Sequence, residues 1–131
     1  MILTALLLLS AQAGDPQVDC KDPMTQTAMN ICSWQSYKRA DEELNAVWKQ
    51  AAARAKQSDA AAAEYDGPTD AFARLLAAQR AWLEFRDAQC LAENGKREDS
   101  GTIWPLLQNS CLEALTEERT NQLRSYIEMP N

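Results

Sequence analysis

Four cysteines, Cys20, Cys32, Cys90 and Cys111, are the residues whose type and number point most directly to chemistry. Thiols can ligate a metal, attack as nucleophiles or pair as disulfides. A structural zinc site is the rival to disulfides, but the chain has no histidine and no CxxC pair. Thiol catalysis needs one cysteine of lowered pKa, and nothing in the sequence separates one of the four from the others. An even count in a small chain that opens with an export leader reads as two disulfides. Other catalytic chemistry lacks its parts. No histidine is present to act as a base near neutral pH. No glycine-rich phosphate loop and no HExxH motif occurs. Glu42-Glu43 and Glu117-Glu118 are neighbours in sequence, so on a helix they point apart and form a solvated face. The expectation is a protein that binds rather than catalyses, with no cofactor and no metal.

The leader is MILTALLLLSAQAG. Its apolar run from Ile2 to Leu9 is too short to span a bilayer. Ala11-Gln12-Ala13 is a small-x-small cleavage signal, although no Lys or Arg precedes the run. No cysteine follows closely, which speaks against a lipoprotein anchor. The expectation is a cleaved signal peptide over 1–13, a single helical domain over 14–131, and a periplasmic or secreted product with no membrane anchor. The net charge of −6 belongs to the mature part, because the leader carries no charged side chain. That acidity argues against nucleic acid or an anionic membrane as partner and admits a basic protein. Taken alone, it also reads as plain solubility.

The elements that must position these residues are helices. Residues 72–90, FARLLAAQRAWLEFRDAQC, contain neither Gly nor Pro and are rich in helix formers. Phe72, Leu76, Gln79, Leu83, Arg86 and Cys90 fall on one helical face, which Leu75 and Trp82 widen. A first helix runs from Thr25 to about Gln57, with a seam of Trp34, Tyr37, Asp41, Leu44 and Trp48. Ala-rich sequence follows to Ala63, where Ser58-Asp59 could cap a short second segment. Residues 55–68 are expected to be the loosest part. Tyr65-Asp66-Gly67-Pro68 is a turn, and Thr69 or Asp70 caps the next helix. Asn94-Gly95 stops that helix, and Pro105 suits the first turn of a third. The third helix presents Trp104, Gln108, Cys111, Leu112, Leu115, Arg119, Gln122, Leu123 and Tyr126, and its stripe keeps phase through Thr116-Glu117-Glu118. Met129-Pro130-Asn131 reads as a frayed end. Valine and isoleucine are too scarce for strands. The fold expected is all-α: a three-helix up-down-up bundle stapled by two disulfides at one end.

Each disulfide connectivity closes different loops. Short loops favour Cys20–Cys32 with Cys90–Cys111, and Cys32–Cys90 with Cys20–Cys111 remains open. The polar residues on buried faces, Asp41, Gln79, Arg86 and Arg119, need partners. Counting from the cysteine end at about 1.5 Å per residue, Asp41 lies ~13–14 Å down, Arg119 ~12 Å and Arg86 ~6 Å. This predicts an Asp41–Arg119 pair near Gln79 or Trp82, with Arg86 left to helix-end carbonyls or solvent.

Several blocks resemble a known family: TQTAMNIC at 25–32, Ala40-Asp41, Leu44-Asn45, Trp48, AQRAWLEFRDAQC at 78–90, Ser100-Gly101, Cys111, and LTEER at 115–119. Together with the four-cysteine frame they look like the bacterial lysozyme-inhibitor LprI-like N-terminal domain family, over residues 20–127. The resemblance implies an exported, α-helical, disulfide-bonded envelope domain whose activity is inhibition of lysozyme, a basic muramidase. Against what is expected of the family's founding type, the reading here is of a chain without a lipoprotein cysteine and without a further domain after the helical one. The resemblance brings no inhibitory residues with it. From the residues themselves, the partner-facing candidate is the loop Lys96, Arg97, Glu98, Asp99, Ser100 and Gly101 through to Trp104. It joins two helices at the disulfide end, with Ser100 able to hydrogen-bond and Trp104 able to anchor. The alternatives are a structural protein of the periplasm with no enzyme target and a cell-wall ligand binder.

Overall fold

The computed structural model describes residues 17–130. The expected signal peptide, 1–13, lies outside the described residues. Three helices follow in order: α1 Gln26–Ala63, α2 Ala71–Asn94 and α3 Trp104–Glu128. A single 3-10 turn, Arg97–Asp99, sits between α2 and α3, and there is no strand among the described residues. Cross-helix contacts give the directions. Ser33 meets Asn109, Ser36 meets Glu113, and Arg54 meets Tyr126, so α1 and α3 run parallel. Arg86 meets Thr116 and Gln79 meets Arg119, so α2 runs against them. This is the expected all-α up-down-up bundle. The disulfides are Cys20–Cys32 and Cys90–Cys111, with Cα separations of 5.5 and 5.7 Å. The first ties the lead-in to α1, and the second joins the end of α2 to the start of α3.

Thr25 starts α1 by accepting the Ala28 N–H on its hydroxyl at 3.0 Å. The helix then passes through Ser58-Asp59 without a break. Ala51 and Ala55 are fully buried there, small enough for the neighbouring helices to come close. The helix ends where Asp66 takes a left-handed φ of 55° and the Gly67 N–H reaches back to the Ala62 carbonyl at 2.8 Å. The expected loose end is tied down. Arg54 donates to the Tyr126 carbonyl at 3.1 Å and to the Met129 carbonyl, which also holds the chain just past α3.

Asp59 does not cap a second segment of its own helix, and Asp70 makes no side-chain cap for α2. Instead the two Asp59 carboxylate oxygens accept the Ala71 and Phe72 N–H groups, at 2.8 and 3.1 Å. One residue of α1 thus supplies the cap of α2 across the turn. Asp59→Ala is expected to cost about 1–2 kcal/mol in urea unfolding, whereas Asp70→Ala changes stability little. Equal effects of the two would show that the capping lies elsewhere.

Leu44, Val47, Ala51, Ala55, Leu75 and Leu123 form the core, with Trp48, Phe72, Trp82 and Tyr126 packed against it. The buried stripe of α2 is rotated from the expected one. It runs through Leu75, Gln79, Arg86 and Cys90, while Leu83 is exposed. On α1, Trp34 lies outside the core seam and is half exposed, and the buried line begins at Ser33 and Ala40. On α3, Thr116 and Thr120 are buried although neither belongs to the expected face. Thr120 returns its hydroxyl proton to the Thr116 carbonyl at 3.0 Å, which satisfies it inside its own helix.

Candidate functional site

Two clusters of polar and aromatic groups stand out, one inside the bundle and one at its disulfide end. The inner cluster is built on Arg86, whose side chain is only 9% exposed. Its guanidinium lies 5.2 Å from the Trp82 ring centre and 5.7 Å from that of Tyr37. It donates to Asp87 at 3.0 Å and reaches the Thr116 hydroxyl at 3.4 Å. The Asp41 carboxylate is 3.9 Å away and remains partly in water. Burial pushes the Tyr37 hydroxyl above its ordinary pKa, and the Arg86 charge opposes that shift.

The expected Asp41–Arg119 pair does not form. Arg119 donates to the Gln79 amide oxygen at 2.9 Å and to Gln122 at 3.1 Å. Burial lowers its pKa. Asp41 faces Arg86 instead: the register brings Arg86 to its level, while Arg119, level with Glu42 and Glu43, is held by Gln79 of α2. The Ser33–Asn109 and Ser36–Glu113 contacts set α1 and α3 out of step by 76 and 77 residues. Cys111 is therefore level with Gln35, about three residues or 4.5 Å along the helix from Cys32. The two disulfides do not share one level, and Arg86, opposite Thr116, comes level with Ala40 and so beside Asp41. With its guanidinium between two aromatic rings and bonded to Asp87 and Thr116, Arg86 braces the three helices against one another.

The loop Lys96 to Trp104 caps the disulfide end. Gly95 turns the chain out of α2 with φ 70°. The Ser100 hydroxyl donates to the Lys96 carbonyl at 2.8 Å, and the Trp104 indole N–H donates to the Gly95 carbonyl at 2.9 Å. From α1, Asn30 donates to the Thr102 carbonyl at 2.9 Å. Trp104 is thus half-buried and its N–H engaged, and the Ser100 proton is used within the loop. Lys96, Arg97, Glu98, Asp99 and Gly101 remain exposed to a partner.

Beside this loop, a groove of about 520 Å³ separates α1 from the start of α3. Ile31, Trp34, Lys38, Arg97, Trp104 and Pro105 line it. The sequence places Trp34 in the core seam and does not mark Lys38. The signal that could have found this surface is the crowding of Trp34 and Tyr37 onto the first turns of α1, where the bundle is not yet closed. Among the described residues, no group of three or more acidic or cysteine side chains is arranged to hold a metal. No described helix is long and apolar enough to cross a membrane.

The family model for the lysozyme inhibitor LprI matches residues 19–123, which include both disulfides, the Arg86 cluster and the loop. An uncharacterized protein of Rhizobium meliloti (strain 1021) is 35% identical over 119 residues, spanning 90% of this chain and 85% of that one. No solved structure matches. With four-fifths of its length, both staples and the buried arginine inside the matched region, the chain belongs to the lysozyme inhibitor LprI family.

Proposed function

We propose that the chain is an exported helical binding protein that inhibits lysozyme in the cell envelope, docking through the loop from Lys96 to Trp104. Membership of an inhibitor family carries this reading. The build of the loop supports docking there. The loop stands on a base pinned by Cys90–Cys111, by Trp104 on Gly95 and by Asn30 on Thr102, so little ordering is needed on binding. A glycosidase of the lysozyme type carries two carboxyl groups in its cleft. Lys96 and Arg97 offer cations to such a cleft, and Glu98 and Asp99 offer acids to its basic rim. The net charge of −6 speeds encounter with a basic enzyme, and salt slows it. The protein then acts by occupying a site rather than by turning over a substrate.

The test is lysozyme lysis of labelled cell wall followed by turbidity, with the parent protein and with a variant whose Glu98 to Gly101 are replaced by a neutral Gly-Ser linker of equal length. The parent is expected to slow lysis. The variant should lose most of that effect while its melting temperature changes by no more than about 2 °C, since the replaced segment buries no side chain. Full inhibition by the variant would move the surface elsewhere. A parent that leaves lysis unchanged would end the inhibitor reading.

A further inference from the structure

The groove beside the loop has a charge opposite to that of the protein around it. The chain carries net charge −6, yet the charged residues lining the groove are Lys38 and Arg97. Among the described residues neither takes part in an ion pair. Trp34 stands in the same groove and is 50% exposed. Its ring is steadied from behind: the Tyr37 ring centre lies 5.7 Å away, and Tyr37 itself rests on Arg86 at 5.7 Å. An indole held in place by the buried cluster, with its outer side in water, is a preorganised stacking surface. Gln35 and Asn109 add amide groups to the wall. The Asn109 amide nitrogen donates to the Ser33 hydroxyl at 3.1 Å, which fixes that side chain in the wall.

We propose that this groove binds a carboxylate-bearing glycan fragment of the cell wall, with a sugar ring against Trp34 and the carboxylate between Lys38 and Arg97. A pyranose ring offers a flat C–H face to the indole and a rim of hydroxyl and acetamido groups to the amides. A neutral oligosaccharide meets only the ring and the amides, and an acidic peptide meets only the cations. The groove is large enough, since small-ligand sites run from roughly 300 to 1,000 Å³. Choosing the cell wall as the source rests on the envelope location proposed above, whereas the ligand chemistry does not. The site shares Arg97 with the loop, whereas Trp34 and Lys38 both belong to α1.

Calorimetric titration of the full chain with a purified disaccharide muropeptide tests this, with chitotetraose as the neutral glycan and a hyaluronan tetrasaccharide as an acidic glycan of other origin. The muropeptide should bind saturably, more weakly as salt rises, and chitotetraose at least about tenfold more weakly. Trp34→Ala and Lys38→Gln should each weaken muropeptide binding by about tenfold, and Lys49→Gln, an exposed cation elsewhere on α1, should not. Absence of muropeptide binding, or parental affinity in Trp34→Ala and Lys38→Gln, overturns the site. Hyaluronan binding as tightly as the muropeptide overturns the cell-wall source. Inhibition of lysozyme on a soluble chitooligosaccharide, measured with the same proteins, keeps the two readings apart. Trp34→Ala that inhibits normally but no longer binds the muropeptide supports a separate glycan site. A parent that binds the muropeptide without inhibiting removes the inhibitor reading and leaves the groove.

Discussion

Replacing Cys90 and Cys111 together by alanine is expected to lower the unfolding free energy by about 3–4 kcal/mol, out of a total of about 5–15 for a domain of this kind. The bond closes a chain separation of 21 residues, against 12 for Cys20–Cys32, so it removes more freedom from the unfolded chain. Burial widens the difference. Cys90 is completely enclosed, and its truncation also leaves unfilled space at the junction of α2 and α3. Cys20 is exposed on the lead-in, so removing Cys20–Cys32 releases a segment that carries little of the core. Urea unfolding of the two double mutants should therefore rank Cys90/Cys111 as the larger loss. On the function proposed above, the same mutant should also weaken lysozyme inhibition, because the loop loses one of the ties at its base. If Cys20/Cys32 proves the costlier pair, the lead-in contributes more to the core than its exposure indicates.

Arg86→Ala is expected to cost about 2–4 kcal/mol, a large effect for a charged residue. The loss has three parts: the buried aliphatic stem, the two aromatic rings flanking the guanidinium, and the hydrogen bond to Thr116 deep in the bundle. The ion pair contributes least. Asp41 is 41% exposed and 3.9 Å away, and Asp87 is 63% exposed, so water screens both. Arg86→Met, which keeps the stem, should recover roughly half of the loss. Asp41→Asn should cost less than about 1 kcal/mol. Chemical denaturation of the three variants decides the matter. Were Asp41→Asn to match Arg86→Ala, the charge pair rather than the ring contacts would be the source of the stability.

Helix number and most limits were legible in the sequence because they depend on neighbours along the chain, though α1 runs unbroken to Ala63 rather than ending near Gln57. Thr25 caps α1, Gly95 stops α2, Pro105 opens α3, and the absence of Gly and Pro within the Ala- and Leu-rich stretches leaves no alternative to helix. The staples were legible for a similar reason, since the shorter of the possible loops are the ones that close. The family was legible in the AQRAWLEFRDAQC block, whose Gln79, Arg86 and Cys90 prove to be three of the four buried residues of that helix. Tertiary structure decided what lies across from what. A shift of about three residues between the helices brought Arg86 level with Asp41, and Arg119 is taken by Gln79 of α2; no periodicity within one helix records its offset against another. Asp59 caps a helix twelve residues ahead because the turn folds α2 back over it. Thr116 and Thr120 are core and Trp34 is surface, against their hydropathy. A helix face is buried only where another helix covers it, and that cover ends at the first turns of α1, where the groove opens.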